Sequence, residues 1–298
     1  MTIADFFTNL FQLMYWGSRT PSSSHAAAAV TSQARILVPT GHDHALALDH
    51  DQSSSTIQPK SGEAHRGWTI KQHLVSTINQ HRAPGRFVRV VSISDTHMKH
   101  AFLNDRIPDG DILIHCGDVQ MTSVRFSRAE GYRRVREFNE WLGTLPHKHK
   151  IVIGGNHDNF LEDVGEEEAQ QLLSNATYVC NSMVTVEGLN IWGSPVSWGS
   201  SKNDAFQQEQ ADIVDQIPTE ADIVVTHGHP LRRFKAFRRK LKTVSPIVHF
   251  CGHYHQGSGV HFLDDSVVTV NSSVLNWKYR LAHPPNVVDI PTRSRSSM

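Results

Sequence analysis

Between residues 94 and 257 the sequence contains five short polar clusters rich in aspartate, asparagine and histidine, and each follows an apolar segment. The clusters are SDTH at 94–97, HCGD at 115–118, GGNHD at 154–158, THGHP at 226–230 and GHYH at 252–255. Each alone would be interpreted as a turn or a helix cap, where Asp and Asn are common. Together they indicate a shared site. Carboxylate, amide and imidazole ligands without cysteine suit Mn, Fe or Zn in an open hydrolytic site rather than a closed structural zinc site.

The elements that precede the clusters must position them. Phe87–Ile93 is apolar and β-branched, which predicts a buried strand. Further strands are predicted at 112–115, 151–153, 191–193, 223–226, 247–251 and 267–270. Helices are predicted at 127–142, 160–173, 204–216 and 231–241. Strands that alternate with helices indicate an α/β domain with a largely parallel sheet, in which sites form at the carboxyl ends of the strands.

The spacing inside the clusters also bears on metal binding. Asp95 and His97 lie two residues apart, as do His253 and His255, so each pair can point the same way from an extended segment. Gly117 allows the backbone to turn just before the acid that follows it. From the residues alone, the histidine pair could hold one metal ion, two or none.

In their order and spacing, the clusters resemble the motifs of the calcineurin-like metallophosphoesterases. The resemblance covers roughly residues 86–290, about two thirds of the chain, and the first 84 residues take no part in it. Longer segments resemble the metallophosphoesterase-domain-containing (MPPED) subgroup and its fungal and bacterial relatives. These segments are SISDTH, GDILIHCGD, FNEWLGTLP, KIVIGGNHD, VVTHGHP and VNSSV.

The resemblance implies an α/β fold, a four-layered α/β/β/α sandwich with a dinuclear metal site at the strand ends. It implies two divalent ions (Mn, Fe or Zn), with Mn favoured in vitro. The implied ligands are Asp95, His97 and His255 for the first ion, Asn156, His227 and His253 for the second, and Asp118 for both. A metal-bridging hydroxide would attack phosphorus in line. His157 would be the catalytic acid that protonates the leaving alkoxide or stabilises the phosphoryl oxygens.

Two positions depart from the family pattern, and one keeps it. In many relatives a carboxylate three residues after the bridging aspartate orients the catalytic histidine, but residue 121 is Met121 here. Thr122 stands where protein phosphatases carry a phosphate-binding arginine, which argues against a Ser/Thr protein phosphatase. Some vertebrate members of the subgroup replace the first histidine of the last motif with glycine. His253 is retained here, so both sites are expected to fill.

Three further residues are predicted substrate contacts. His229 lies beside a predicted ligand and would contact the substrate or a ligand. Trp198 would stack on a base or an aromatic leaving group, or would instead anchor its own loop. Arg232 belongs to the basic segment 231–242, which either docks a phosphate-rich substrate or forms a solvated helix face. The solvated face is favoured because helical runs of charge usually face solvent.

These observations predict a metal-dependent phosphoric ester hydrolase that acts on a small phosphoester, and a phosphodiesterase rather than a phosphatase. The alternatives are a phosphomonoesterase, a nuclease that uses the basic segment, and a metal-bound interaction protein with low turnover. The last follows from Met121. Nucleic acid is not favoured as a partner, because Lys+Arg and Asp+Glu both number 29 and leave no basic excess.

The remaining regions give weaker indications. Residues 1–84 are predicted to be an N-terminal extension, with an amphipathic helix at 3–16 followed by a mostly low-complexity linker. The helix would dock on protein or on a membrane surface, and docking on protein is favoured because its polar face lacks Lys and Arg. Residues 85–290 form the predicted metallophosphoesterase domain, and 291–298 a C-terminal tail. Three cysteines and no apolar run of about 18 residues predict an intracellular, cytoplasmic protein without a transmembrane segment.

Overall fold

The computed structural model of the protein describes residues 35–37, 87–120, 127–198, 203–207, 210–231, 234–263 and 266–291. Its strands are β1 (Arg35–Leu37), β2 (Phe87–Ile93), β3 (Ile112–Cys116), β4 (His149–Ile153), β5 (Thr177–Tyr178), β6 (Ser182–Val186), β7 (Leu189–Ser194), β8 (Ile223–Thr226), β9 (Val248–Cys251), β10 (Gly259–Leu263), β11 (Val267–Asn271) and β12 (Asn286–Pro291). Its α-helices are α1 (Arg128–Thr144), α2 (Asn159–Leu172), α3 (Gln210–Val214) and α4 (Lys235–Val244). Short 3-10 segments occupy His100–Arg106 and His255–Gly257.

The described strands form two six-stranded sheets. The first has the order β1-β12-β2-β3-β4-β5 and the second the order β10-β11-β9-β8-β7-β6. Strands β2 to β5 run parallel in the first sheet, and β7, β8, β9 and β11 run parallel in the second. Antiparallel strands β1, β12, β6 and β10 complete the sheets. Because parallel strands end at a common edge, the loops after β2, β3 and β4 meet at one edge, and those after β8 and β9 at another.

The two sheets pack face to face, with helices on the outside. Along β2, Val88 and Val90 join the core between the sheets, whereas Val91 joins the core beneath α1 and α2. This alternation follows the two-residue period of a strand. Behind the second sheet, Phe237 and Leu241 of α4 are fully buried in a third core. The four-layered α/β/β/α sandwich is therefore confirmed.

The strands predicted after residue 86 are all present, but two helices differ from the prediction. The predicted helix at 204–216 is reduced to α3, because Phe206 has a left-handed backbone (φ 56°) that a helix cannot continue through. The predicted helix at 231–241 begins only at Lys235, since Phe234 has a non-helical ψ of 63°. The unpredicted strands β5, β6, β10 and β12 are short or lie near sheet edges, where the apolar pattern is weak.

Within the N-terminal extension, the structure describes only β1, which pairs antiparallel with β12 at Ile36 and Val288. The predicted amphipathic helix at 3–16 and the tail from 292 onward lie outside the described residues. The division at residue 84 stays a prediction. Strand β1, which comes from the extension, adds three residues to the edge of the first sheet. Among the described helices, none is long and apolar enough to cross a membrane.

Candidate metal centre

The five polar clusters come together where the strands of the two sheets end. The backbone N–H of Asp95 donates to the carbonyl oxygen of Gly117 (2.9 Å), which joins the loops after β2 and β3. The backbone N–H of Gly252 donates to the carbonyl oxygen of His227 (3.0 Å), which joins the loops after β8 and β9. The backbone N–H of His253 then donates to both carboxylate oxygens of Asp95, at 3.1 and 2.9 Å. Loops from both sheets therefore form one site.

The first group of candidate ligands contains Asp95, His97 and His255. Their ligand atoms all lie within 4.8 Å of one another. Nε2 of His255 is 3.1 Å from Oδ1 of Asp95 and 3.3 Å from Nε2 of His97. Asp95 and His97 are fully buried. The group is compact enough for one metal ion.

The second group contains Asp118, His227 and His253, and its ligand atoms also lie within 4.8 Å of one another. Nε2 of His227 is 3.2 Å from Oδ2 of Asp118. Oδ1 of Asn156 lies 3.0 Å from Nε2 of His227 and 2.8 Å from Nδ1 of His253. Oδ2 of Asp118 is also 3.8 Å from Nε2 of His97. Asp118 therefore lies between the two groups.

Backbone carbonyls fix the tautomers of three of these histidines. The acceptor partners of Nδ1 are Gln120 O for His97 (2.8 Å), Cys116 O for His227 (2.8 Å) and Asn276 O for His255 (3.1 Å). A carbonyl oxygen only accepts, so each Nδ1 carries a proton, and each neutral ring directs the lone pair of Nε2 into the site. The lone pairs of His97 and His255 then face each other at 3.3 Å, where only a cation or an added proton can make the contact favourable.

The charges in the centre shift several pKa values. Burial lowers the pKa of His97 and of His253 to about 4, so both rings are neutral near pH 7. Burial also disfavours a charged His227, but the adjacent Asp118 carboxylate outweighs this and raises the pKa of His227 to about 9. Without a metal, a proton would therefore occupy the position on Nε2 of His227 that a metal ion would take.

The segment VNSSV (residues 270–274) forms hydrogen bonds that position the first group of candidate ligands. The hydroxyl of Ser273 donates to Oδ2 of Asp95 (2.7 Å), and Oδ1 of Asn271 accepts from the backbone N–H of Ser273 (3.1 Å). Nδ2 of Asn271 donates to the carbonyl oxygen of Tyr254, between the two histidines of the last cluster (2.8 Å). Hydrogen bonds of this kind hold the candidate ligands in place.

The ring of Tyr279 is a further neighbour that sequence reasoning did not single out. Its centroid lies 4.9 Å from that of His97 and 5.2 Å from that of His255. Tyr279 lies beyond all five clusters in the sequence, so no local signal connects it to the site.

The backbone around the site is unusual as well. Asp95, His97, Asp118 and His253 all have positive φ angles, between 43° and 65°. Such conformations are costly for residues with side chains and cluster at functional sites. Gly117 has φ 90°, and a side chain there would clash with Gly154, so the predicted turn before Asp118 is confirmed.

His157 contacts an asparagine, and Asp158 does not support it. Nε2 of His157 is 3.9 Å from Oδ2 of Asp118 and 2.9 Å from Nδ2 of Asn203. The carboxylate of Asp158, the residue next to His157 in the sequence, accepts three backbone N–H bonds instead of contacting this ring. Their donors are Gly155 (2.8 Å), Gln120 (2.8 Å) and Val119 (3.3 Å). Met121 lies outside the described residues.

The predicted substrate contacts have different surroundings. Trp198 is only 7% exposed, and its ring centroid lies 4.6 Å from that of Phe237, so its packing fits the interpretation as a loop anchor. His229 lies beside Tyr254 and His261 (centroids 5.8 and 5.2 Å away), and neither ring nitrogen has a hydrogen-bond partner among the described residues. Its role as a substrate contact stays a prediction.

Arg232 lies outside the described residues, so its predicted contact is untested. In α4, the apolar side chains of Phe237 and Leu241 are buried, whereas Lys235, Arg239 and Lys242 are exposed. The described part of the basic segment therefore has the arrangement of a solvated helix face.

A family model and several known proteins are similar to this chain. Residues 88–276 match the calcineurin-like phosphoesterase superfamily domain. The chain is 35% identical to UPF0046 protein C25E10.12 of Caenorhabditis elegans, over 68% of this chain and 81% of that protein. It is 31% identical to metallophosphoesterase domain-containing protein 1 of Homo sapiens, over 89% of this chain and 92% of that protein. A solved structure of an archaeal phosphodiesterase is 17% identical with a TM-score of 0.32, covering 61% of this chain and 82% of that one.

Two six-stranded sheets between helices, with His and Asp at the strand ends, define a metallophosphoesterase-type protein. The chain belongs to the calcineurin-like phosphoesterase superfamily, with relatives among the metallophosphoesterase domain-containing proteins. It is therefore a phosphoester hydrolase by family, and the family implies divalent metal ions.

Proposed function

We propose that this protein is a dinuclear metal-dependent phosphodiesterase. Asp95, His97 and His255 would hold one ion, and Asn156, His227 and His253 the other. Asp118 would contribute to both.

One observation carries the proposal: backbone carbonyls fix three imidazoles so that their Nε2 atoms are directed at one another or at carboxylates. In a histidine cluster that served only stability, the ring nitrogens would meet hydrogen-bond donors. Here Nε2 of His97 meets Nε2 of His255 at 3.3 Å, and Nε2 of His227 meets a carboxylate oxygen at 3.2 Å. Cations suit this donor set, which contains imidazole, carboxylate and amide oxygen but no cysteine.

Two such ions, when bound, would activate water near neutral pH and neutralise charge on the phosphate oxygens. The protein's own part is to hold the ligands and to supply a proton. As a water oxygen bonds to phosphorus and the P–O ester bond breaks, the leaving oxygen takes a proton from His157. This ring is 8% exposed, and its Nε2 faces Asp118, so it is available at the site while largely shielded from bulk water.

The diester preference rests on charge. A diester carries one negative charge near neutral pH, whereas a phosphate monoester carries nearly two. Thr122 supplies no positive charge where protein phosphatases have an arginine. A site that lacks this positive charge is better matched to the diester, which carries less negative charge than the monoester.

The test is hydrolysis by the full chain, stripped of metal and reloaded with Mn²⁺. Bis-p-nitrophenyl phosphate, p-nitrophenyl phosphate and single-stranded DNA are compared at equal concentrations. We expect diester turnover that Asp118→Asn abolishes, while the surface variant His149→Ala keeps it. Two bound ions without turnover of any ester would refute the proposal and favour an interaction protein. A preference for the monoester would refute the diester assignment alone, and a preference for DNA, itself a phosphodiester, would indicate a nuclease instead of an enzyme for small diesters.

A further inference from the structure

We propose that Asn203 is the positioning residue of His157, in place of the carboxylate that many relatives carry at the position of Met121. The inference rests on the proposed function, since it concerns the acid of that reaction. Asn203 lies 82 residues after Met121 in the sequence, in a different loop.

The side-chain contact is direct. Nδ2 of Asn203 is 2.9 Å from Nε2 of His157, the ring nitrogen that faces Asp118. Nδ1 of the same ring is buried and has no hydrogen-bond partner among the described residues. Within the described part of the chain, the amide of Asn203 is therefore the hydrogen-bond partner that orients this imidazole.

The backbone of Asn203 is held by the neighbouring candidate ligand. Its carbonyl oxygen accepts from Nδ2 of Asn156 (3.3 Å), and the carbonyl oxygen of Asn156 accepts from the backbone N–H of Ala205 (3.3 Å). Asn156 is thereby bound on both its side chain and its backbone to the segment 203–207. A shift of this segment would move both the candidate ligand and His157.

Three more contacts fix the same segment. Oδ1 of Asp204 accepts from Nδ2 of Asn159 (3.3 Å), and the backbone N–H of Phe206 donates to Oε1 of Glu162 (2.7 Å). The ring of Phe206 lies against Gly154, where an added side chain would clash with it. The segment 203–207 is thus a clamp on the loop after β4 and on the start of α2, and it holds Asn203 in register with His157.

An amide suits both protonation states of the ring. As the structure has it, the amide donates to Nε2, so the neutral ring carries its proton on Nδ1. When the ring is protonated, the amide can turn its oxygen toward Nε2–H, because an amide offers both a donor and an acceptor. A leaving-group oxygen that arrives at the site would then replace the amide and take the proton. Asn203 would thus orient the ring before the reaction without adding a charge to the site.

The test compares Asn203→Ala with Asn203→Asp in the full chain. Asp has the same side-chain length and keeps an acceptor for the protonated ring but loses the amide donor, whereas Ala removes both. Asn190→Ala is the matched control, since it removes an asparagine side chain that contacts Thr185 and Glu220 but makes no contact with His157 or with the segment 203–207. Diesters with the leaving groups p-nitrophenol and phenol are compared, because phenol needs protonation more.

For Asn203→Ala we expect a 10–100-fold lower kcat on the phenyl ester, the usual effect of losing such a partner. The loss on the p-nitrophenyl ester should be smaller, KM should change little, and Asn203→Asp should restore most of the difference. An equal loss on both esters, or the same pattern in Asn190→Ala, would reduce Asn203 to a structural role and overturn the inference.

A second measurement does not depend on turnover. In the Zn²⁺-loaded protein, two-bond ¹H–¹⁵N NMR correlations report the tautomer of His157, and metal analysis reports the bound ions. We expect Asn203→Ala to change the His157 correlations while the ion content stays the same. Unchanged correlations would overturn the inference even if the wild type hydrolysed no ester, so this failure is distinct from that of the proposed function.

Discussion

At the residue scale, the candidate centre depends on which ring nitrogen of each histidine is protonated. His97, His227 and His255 each donate Nδ1–H to a backbone carbonyl, which leaves Nε2 for the site. The sequence predicts these three histidines because each lies within a recognisable cluster. It does not predict their tautomers, because the acceptors are main-chain atoms whose positions depend on the fold.

His253→Ala tests the division of ligands between the two groups. His253 contacts Asn156 and lies in the second group, so its removal should lower bound Zn²⁺ from about two ions per chain to about one. Metal analysis after gel filtration measures this. His149→Ala, a surface histidine paired with Glu187, should keep both ions. Loss of both ions in His253→Ala would contradict the prediction that the two ions bind independently.

The hydrogen-bond partner of His157 could not be predicted from the sequence. Met121 reveals that the usual carboxylate is missing, yet nothing in the sequence connects His157 to Asn203, 46 residues away. The contact exists because the segment 203–207 folds back over the loop after β4. Contacts between loops that are distant in the sequence leave no periodic pattern or spacing in it, so they cannot be predicted from the sequence.

At the scale of elements, the parallel strands were predictable because they are apolar, short and β-branched. Several polar residues interrupt this pattern while remaining buried, and His249 is one of them. His249 of β9 is fully buried between Thr226 of β8 and Thr269 of β11, with ring nitrogens 2.9 and 3.3 Å from their hydroxyls. The neighbouring strands therefore satisfy a histidine that sequence alone could have assigned to a metal.

His249 should make the fold sensitive to acid. Burial lowers its pKa to about 3, so between pH 6.5 and that value the unfolded chain binds a proton that the folded chain does not. Stability contributed by the neutral ring is complete above pH 6.5 and is lost as the pH falls. The expected slope is about 1.4 kcal/mol per pH unit from this group. Urea unfolding of wild type and His249→Gln between pH 6 and pH 4 measures the difference, and equal slopes would contradict it.

In α4, the buried apolar face should contribute to the free energy of unfolding, whereas the exposed charged face should contribute little. Phe237 is fully buried, with its ring centroid 4.6 Å from that of Trp198 and 5.5 Å from that of His249. Phe237→Ala should lower the free energy of unfolding by about 3–5 kcal/mol. Arg239→Ala, on the exposed face of the same helix, should change it by about 0.5 kcal/mol or less. Chemical denaturation compares the two, and equal losses would show that the charged face is not merely solvated.

At the scale of the whole molecule, the candidate centre joins the two sheets. Asp95, Asp118 and Asn156 follow strands of the first sheet, whereas His227 and His253 follow strands of the second. The four-layered fold was predictable from the resemblance of the motifs. The pairing of β1 with β12 was not, because a three-residue strand far from the motifs has no distinctive pattern.

Because ligands come from both sheets, metal binding should stabilise the whole fold. Free Mn²⁺ at 100 times the dissociation constant of a site should add about 2.7 kcal/mol to the free energy of unfolding. Differential scanning calorimetry of stripped and reloaded protein measures the rise in Tm, and a chelator should reverse it. In Asp118→Asn the rise should be much smaller. A wild-type Tm that does not respond to Mn²⁺ would contradict a centre shared by the sheets.

The left-handed backbone of His253 (φ 65°) has an evolutionary consequence. A histidine there costs about 1 kcal/mol relative to glycine, which adopts this conformation freely. Selection for stability alone would therefore favour His253→Gly, whereas binding of a second ion by His253, as proposed, would oppose this substitution. A lineage that no longer needed the full centre would lose this histidine early, by a substitution that its backbone already accommodates.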